Sequence, residues 1–237
     1  MPDIQSTFRY PPVAPEIMLP FIPANCRRLL DVGCAGGEFG AMIKQRVRAE
    51  VWGIDPSSEV VDRATRNLDR FIPRAFDEMS GLPLHYFDVV TFNDSLEHFA
   101  DPWAVLRLVQ QHLAPGGSVI MSVPNVRYVD NVYHLVFEMD WRYRERGILD
   151  STHLRFFTKK SLVRTLESEH FVVEKITGIR GKYWIGRAAR PFVRLFGEWL
   201  EDMNYMQYAV VASMKLDGEP KGSGNGPAGQ PGQAASG

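Results

Sequence analysis

Cysteine, net charge and long apolar runs are all scarce in this chain, and each shortage removes a class of function. Cys26 and Cys34 are the only two cysteines in 237 residues. They lie close together, and Cys34 sits inside a glycine-rich turn that a disulfide would distort. Both are therefore expected as reduced thiols in a cytoplasmic protein. Lysine and arginine number 27 against 28 acids, a formal net charge of −1, so no global basic field draws nucleic acid. No apolar stretch is long enough to span a bilayer. The start, Met1-Pro2-Asp3-Ile4-Gln5, lacks the basic-then-apolar layout of a secretory leader. A P-loop is excluded because no G-x-x-x-x-G-K-[ST] occurs. What is present is 45% hydrophobic and 23% charged, enough to bury one substantial core.

The stretch Leu29-Leu30-Asp31-Val32-Gly33-Cys34-Ala35-Gly36-Gly37-Glu38-Phe39-Gly40 organises the rest. An apolar run, a glycine turn and a helical pattern (Phe39, Met42, Ile43, Val47) predict strand, turn and helix. That unit opens a doubly wound α/β fold, in which ligands sit at strand C-termini. A turn that cradles pyrophosphate wants G-x-G-x-x-G, but counting from Gly33 the later positions are Ala35 and Glu38. A carboxylate at a helix N-terminus competes with phosphate for that place, and Asp31 adds another negative charge. The pattern favours a cationic ligand and disfavours an NAD-dependent oxidoreductase.

A second strand, Val51-Trp52-Gly53-Ile54-Asp55, ends in an acid at the spacing that binds ribose hydroxyls, with Pro56 and a helix N-cap at Ser57 behind it. The third unit is irregular, because Pro73 falls inside the expected strand and confines it to an edge or ends it. The fourth strand, Phe87-Asp88-Val89-Val90-Thr91-Phe92-Asn93, runs into Asp94-Ser95-Leu96-Glu97-His98-Phe99-Ala100-Asp101-Pro102. In the doubly wound order it lies beside the first, so Asn93 and Asp94 face Asp31 and Gly33. An amphipathic helix (Trp103, Leu106, Val109, Leu113), a Pro115-Gly116-Gly117 turn and a strand over Ser118-Val119-Ile120-Met121-Ser122-Val123 follow.

These motifs, over about residues 25–176, resemble the class I S-adenosylmethionine-dependent methyltransferases. The matching strings are Leu30-Asp31-Val32-Gly33-Cys34-x-x-Gly37, F-D-V-V, D-x-L-E-H-x-x-D-P and L-x-P-G-G, with Ala35 where that family commonly has glycine. The resemblance implies a Rossmann-like seven-stranded sheet with an antiparallel last strand and helices on both faces. It also implies S-adenosylmethionine as cofactor, converted to S-adenosylhomocysteine; a sulfonium with an ammonium group and no phosphate agrees with the charge pattern. Implied cofactor contacts are Asp31, Gly33, Ala35, Gly37, Asp55, Pro56, Asn93, Asp94 and Leu96. For the adenine, Asp77 after a shift in register and Phe76 packing on the ring both stay open. A leading segment with Arg9 and Tyr10 either covers the cofactor or packs as an arm.

Between the fifth strand and Asp150 lies an insertion, about 126–152, dense in aromatic and basic side chains (Arg127, Tyr128, Tyr133, Trp141, Arg142, Tyr143, Arg144 and Arg146 among them). Leaving the C-terminal edge of the sheet, it is expected as a lid over the acceptor, its aromatics fitting sugars or planar rings and its arginines fitting phosphate or carboxylate. The string His153-x-Arg155-Phe156-Phe157-Thr158-x-x-Ser161-Leu162 resembles methyltransferases of surface-polysaccharide and lipid-linked glycan pathways. His153 is the candidate base for a hydroxyl acceptor, or else a histidine that bonds its loop. Glu97 and His98 read as fixing their loop, because the further ligands a metal would need are not located; no metal is assigned.

The expected organisation is an arm over 1–24, one domain over 25–216 with the lid and an amphipathic insertion at 181–203, and a disordered tail over 217–237. In the amphipathic insertion Trp184, Phe192 and Trp199 oppose Arg187, Arg190 and Arg194, which reads as a peripheral membrane contact, a homodimer contact or packing on the sheet. The expected activity is O-methylation of a sugar hydroxyl on a surface-glycan precursor. Quinone-ring O-methylation, as in ubiquinone biosynthesis, is the alternative within the class, and a cofactor-binding scaffold without turnover is the alternative outside it.

Overall fold

The computed structural model describes residues 16–181 and 201–215. The leading arm with Arg9 and Tyr10, most of the amphipathic insertion and the tail lie outside the described residues. Seven strands form one sheet: β1 (Arg28–Val32), β2 (Glu50–Ile54), β3 (Arg70–Ile72), β4 (Phe87–Asn93), β5 (Leu113–Pro124), β6 (Phe171–Gly181) and β7 (Tyr205–Met214). Their order is β3-β2-β1-β4-β5-β7-β6. The first five strands run parallel, and β7 inserts antiparallel between β5 and β6. This is the doubly wound architecture with an antiparallel last strand.

Strand alternation builds a core on each face of the sheet. Leu30, Trp52, Val90 and Met121 join one apolar cluster, while their neighbours Leu29, Val51, Val89 and Ile120 join the other. On the first face, α3 (Pro102–His112) contributes Leu106 and Val109, and α5 (Lys159–Ser168) contributes Leu162 and Leu166. On the second, α1 (Glu38–Val47) contributes Phe39 and Ile43, and α2 (Val61–Asn67) contributes Ala64. Trp103, expected on the apolar stripe of α3, is 37% exposed. The buried face of α3 runs through Pro102, Val105, Leu106, Val109 and His112, and the helical period turns Trp103 away from it.

β3 resolves the irregular third unit. It is three residues long, lies at the sheet edge and stops before Pro73. Thr158 caps α5 in a reciprocal box with Ser161, fixing the helix start. Elements also run longer than the apolar pattern suggests. β5 takes in the Pro115-Gly116-Gly117 segment, where Gly116 adopts φ +77°, and β7 starts at Tyr205 instead of Tyr208.

One buried side chain ties the carboxyl edge of the sheet together. Asn125, fully buried just past β5, donates through Nδ2 to the carbonyls of Asp202 (2.8 Å) and Tyr205 (2.9 Å) and accepts from the Arg127 N–H (3.0 Å). It anchors both the start of the lid and the entry into β7. Replacing it leaves several buried groups unpaired, each costing about 1–3 kcal/mol. Asn125→Ala is therefore expected to lower unfolding free energy in urea by about 3 kcal/mol, and a loss below about 1 kcal/mol would remove the anchor role.

Candidate active site

The carboxyl ends of β1, β2 and β4 converge, because Asp31 is in register with Gly53 on one side and Thr91 on the other. Asp31 is buried, accepting from Thr91 Oγ1 at 2.6 Å and Asn93 Nδ2 at 3.4 Å. Burial, with the Asp55 charge adding to it, outweighs those hydrogen bonds and pushes the Asp31 carboxyl up to about 6. The glycine turn closes against the neighbouring loop. At Gly33, φ is +74° and an added Cβ would stand 2.6 Å from Ser95 Cβ. Ser95 Oγ in turn donates to the Val32 carbonyl at 2.7 Å. Ala35 also takes the left-handed region (φ +46°), its N–H given to Asp55 Oδ2 at 3.0 Å, and Gly37 (φ +75°) leads into α1.

Asp55 is buried as well, its second oxygen accepting the Ser57 N–H at 2.9 Å. Each oxygen keeps one lone pair, so the same carboxylate can clasp the turn and still accept from a ribose. Burial raises its proton affinity despite those two N–H donors. Ser57 caps the short helical turn that follows Pro56. Glu38, half of the charge argument against phosphate, is met by Arg63 Nε at 3.3 Å. The charge left beside the turn therefore comes chiefly from Asp31 and Asp55.

Asp94 stands at the end of β4 in a left-handed conformation (φ +50°). Its N–H goes to Ser122, and its Oδ1 accepts from Ser122 Oγ at 2.8 Å and Gln207 Nε2 at 2.7 Å. Gln207 escaped the sequence reading, since nothing local marks a residue of β7 that returns to β4. Leu96 is fully buried within the main apolar cluster. Asp77 closes its own turn, accepting from the Met79 N–H at 2.9 Å. Phe76 is core, edge-on to Phe92 and to His112, and its face is not free for an adenine ring.

A second group of side chains lies one turn beyond Asp94. The loop after the lid is stitched onto the β4 loop, with the Leu154 and Arg155 N–H groups donating to the Glu97 carbonyl at 2.9 and 3.0 Å. This brings His153, expected at an open mouth, into a buried position with Nε2 at 3.8 Å from Glu97 Oε1. Its Nδ1 bonds the Ile148 carbonyl at 3.0 Å, so the loop-bonding role read from the sequence is present and the ring's other nitrogen stays available. Glu97 is 1% exposed and neither carboxylate oxygen has a hydrogen-bond partner. Burial first, then the Asp94 and Asp150 charges, hold its carboxyl well above the usual range. His98 meets His153 edge-on, ring centroids 4.8 Å apart. The third ligand-type residue that the sequence did not locate beside Glu97 and His98 is thus His153.

The lid's side chains divide three ways. Tyr128 is buried. Trp141 and Tyr143 gather on Phe156 at 5.2 and 6.3 Å, and Phe156 is 6.3 Å from the His153 ring. Helix α4 (Val129–Phe137) buries no residue among those described; Tyr133, Leu135, Val136 and Phe137 are exposed, as is Met139 beyond it. Two of the arginines are already matched, Arg127 by Asp202 and Arg142 by Asp140.

The carboxylates, the glycine turn and a buried Asn93 Oδ1 without a hydrogen-bond partner fit an ammonium- and sulfonium-bearing cofactor better than a pyrophosphate. A family model described as a methyltransferase domain matches residues 11–176. The ubiquinone biosynthesis O-methyltransferase of Xanthomonas oryzae pv. oryzae is 29% identical over 191 residues, covering 77% of this chain and 75% of that one. The protein of the same name from Psychrobacter cryohalolentis is 27% identical over 175 residues, covering 68% and 67%. Among solved structures, a SAM dependent methyltransferase from Archaeoglobus fulgidus superposes with a TM-score of 0.61 at 21% identity, covering 83% of this chain and 91% of that one.

Two tests address the cofactor pocket. Gly33→Ala is expected to lower stability by about 2 kcal/mol and to abolish the rise in melting temperature given by S-adenosylhomocysteine, whereas Ala35→Gly keeps that rise. A retained rise in Gly33→Ala would remove the close approach to Ser95 from the binding site. For Asp31, the folded pKa of about 6 lies above the ordinary carboxylate range, so lowering the pH through 6 stabilises the free chain while neutralising a charge expected to attract the cofactor. Calorimetry should show cofactor affinity falling about tenfold per pH unit below 6. Asp31→Asn should flatten both trends, and an unchanged slope would exclude Asp31 as their source.

Proposed function

The chain belongs to the S-adenosylmethionine-dependent methyltransferases, and we propose that its acceptor is a ring hydroxyl of an aromatic, lipid-tailed quinone precursor. The bound cofactor supplies an electrophilic methyl group. For the chain's own residues, Asp31 and Asn93 would hold the ammonium end, Asp55 the ribose, and the backbone from Gly33 to Gly37 the space between them. The acceptor hydroxyl sheds its proton as the methyl group arrives, and in this reading the Glu97–His98–His153 group takes it up. His153, the base read from the sequence, keeps its Nε2 lone pair on that side.

The observation that carries the aromatic acceptor is the wall of Trp141, Tyr143 and Phe156 beside His153. Flat apolar faces recognise a planar ring, and they exclude water from the reacting oxygen. The exposed apolar side chains of α4 continue that surface outward, as a lipid tail requires. Arg187, Arg190 and Arg194, known from the sequence alone, supply charge for peripheral contact with an anionic membrane in which such an acceptor dissolves. The relatives named for ubiquinone biosynthesis support the same choice. A sugar hydroxyl on a lipid-linked glycan precursor is the second reading, favoured by the string from His153 to Leu162. The pairing of Arg127 and Arg142 with acids of the chain argues against a phosphate held there.

Transfer of labelled methyl from S-adenosylmethionine can be compared for a prenylated catechol, the same catechol without its tail, and a lipid-linked sugar. The prenylated catechol is expected to be the best acceptor. Replacing Phe137 and Met139 together by serine should raise its KM about tenfold, kcat unchanged and the tailless compound unaffected. Methyl transfer to the sugar alone would overturn the proposal.

A further inference from the structure

Glu97, His98 and His153 have the chemistry and spacing of a metal centre that the methyl-transfer reading does not require. One candidate ligand atom from each lies within 4.8 Å of the others. A first-row ion with nitrogen and oxygen ligands at about 2.0–2.2 Å holds tetrahedral ligands about 3.4 Å apart, so the three side chains would draw together by about 1 Å on binding it.

The hydrogen bonds set the rings up for that use. A carbonyl can only accept, so the contact of His153 Nδ1 with the Ile148 carbonyl at 3.0 Å places the proton on Nδ1 and the lone pair on Nε2. Nδ1 of His98 makes the same kind of contact with the Thr152 carbonyl at 3.2 Å, leaving its Nε2 as the acceptor. An imidazole whose far N–H is held by a backbone carbonyl is the usual outer-shell arrangement of a metal-binding histidine. Glu97 is an independent sign, being almost wholly buried with neither oxygen hydrogen-bonded. A buried carboxylate without a hydrogen bond is costly, its nearest imidazole nitrogen being 3.8 Å away, and an ion between it and the two rings removes that cost.

We propose that Glu97, His98 and His153 bind one divalent first-row transition ion such as Zn²⁺. Two imidazoles and one carboxylate match such ions, whereas Mg²⁺ and Ca²⁺ take all-oxygen shells. Three protein ligands leave a coordination position open. Its use in catalysis rests on the hydroxyl acceptor proposed above: an oxygen bound at that position loses its proton to bulk water at lower pH, and His153 is then a ligand instead of a base. Binding of the ion itself does not depend on that reading.

The test uses the untagged full chain, stripped with chelator and titrated with Zn²⁺ or Co²⁺ alone. One equivalent is expected by elemental analysis, and Co²⁺ should give visible ligand-field bands. Glu97→Gln and His153→Ala should each weaken binding at least tenfold, while His134→Gln on exposed α4 leaves it intact. Far-ultraviolet dichroism of each variant verifies folding; should His153→Ala unfold, His98→Gln replaces it. Failure to retain an ion, or retention that these variants leave unchanged, overturns the site. The S-adenosylhomocysteine thermal shift, run on the same stripped protein, separates the two ideas: a shift without ion binding sinks only the metal centre, and no shift sinks the cofactor pocket.

Discussion

The contact between Gly33 and Ser95 is the constraint on which the rest of the site depends. The β1 turn and the β4 loop cross so closely that a single methyl group would stand 2.6 Å from Ser95 Cβ. The Ser95 hydroxyl locks the crossing by donating to Val32. On one side of the crossing lie Asp31 and Asn93, joined by a hydrogen bond. Two residues along the other side lies Glu97, and the next loop is sewn to its backbone carbonyl. The proposed cofactor pocket and the proposed acceptor side are thus two faces of one joint, and movement of either loop would disturb both.

Buried negative charge is the second theme. Asp31, Asp55 and Glu97 are each almost wholly buried, and burial raises the proton affinity of all three. Their degree of satisfaction differs. Asp31 and Asp55 accept hydrogen bonds from neighbouring strands and turns, which leaves each with lone pairs for the cofactor groups proposed there. Glu97 has no such donors. That contrast separates a pocket tuned for an organic cation from a position that asks for a proton or a metal ion.

Local chemistry made much of this legible in the sequence. Gly33, Ala35 and Gly37 adopt the left-handed backbone that a tight strand-to-helix turn demands, and Asp55 reaches back to that turn from the end of β2. Thr158 and Ser57 cap helical turns as their hydroxyls suggested. Pro73 ends an edge strand. Each of these follows from the stereochemistry of one residue and its near neighbours. Trp103 departs from its expected apolar stripe because periodicity names an apolar residue without saying which surface covers it.

The sequence by itself determined the fold and the cofactor class, because alternating apolar strands and the glycine turn are short-range patterns with few physical solutions. Only the tertiary structure decided what surrounds the reacting end. Gln207 reaches Asp94 across 113 residues, and His153 arrives beside Glu97 because the Leu154 and Arg155 N–H groups pair with a distant carbonyl. It also showed Glu38 paired with Arg63, leaving Asp31 and Asp55 as the chief charges beside the turn. Contacts of that kind depend on how packed elements meet in space, and no local spacing in the chain encodes them.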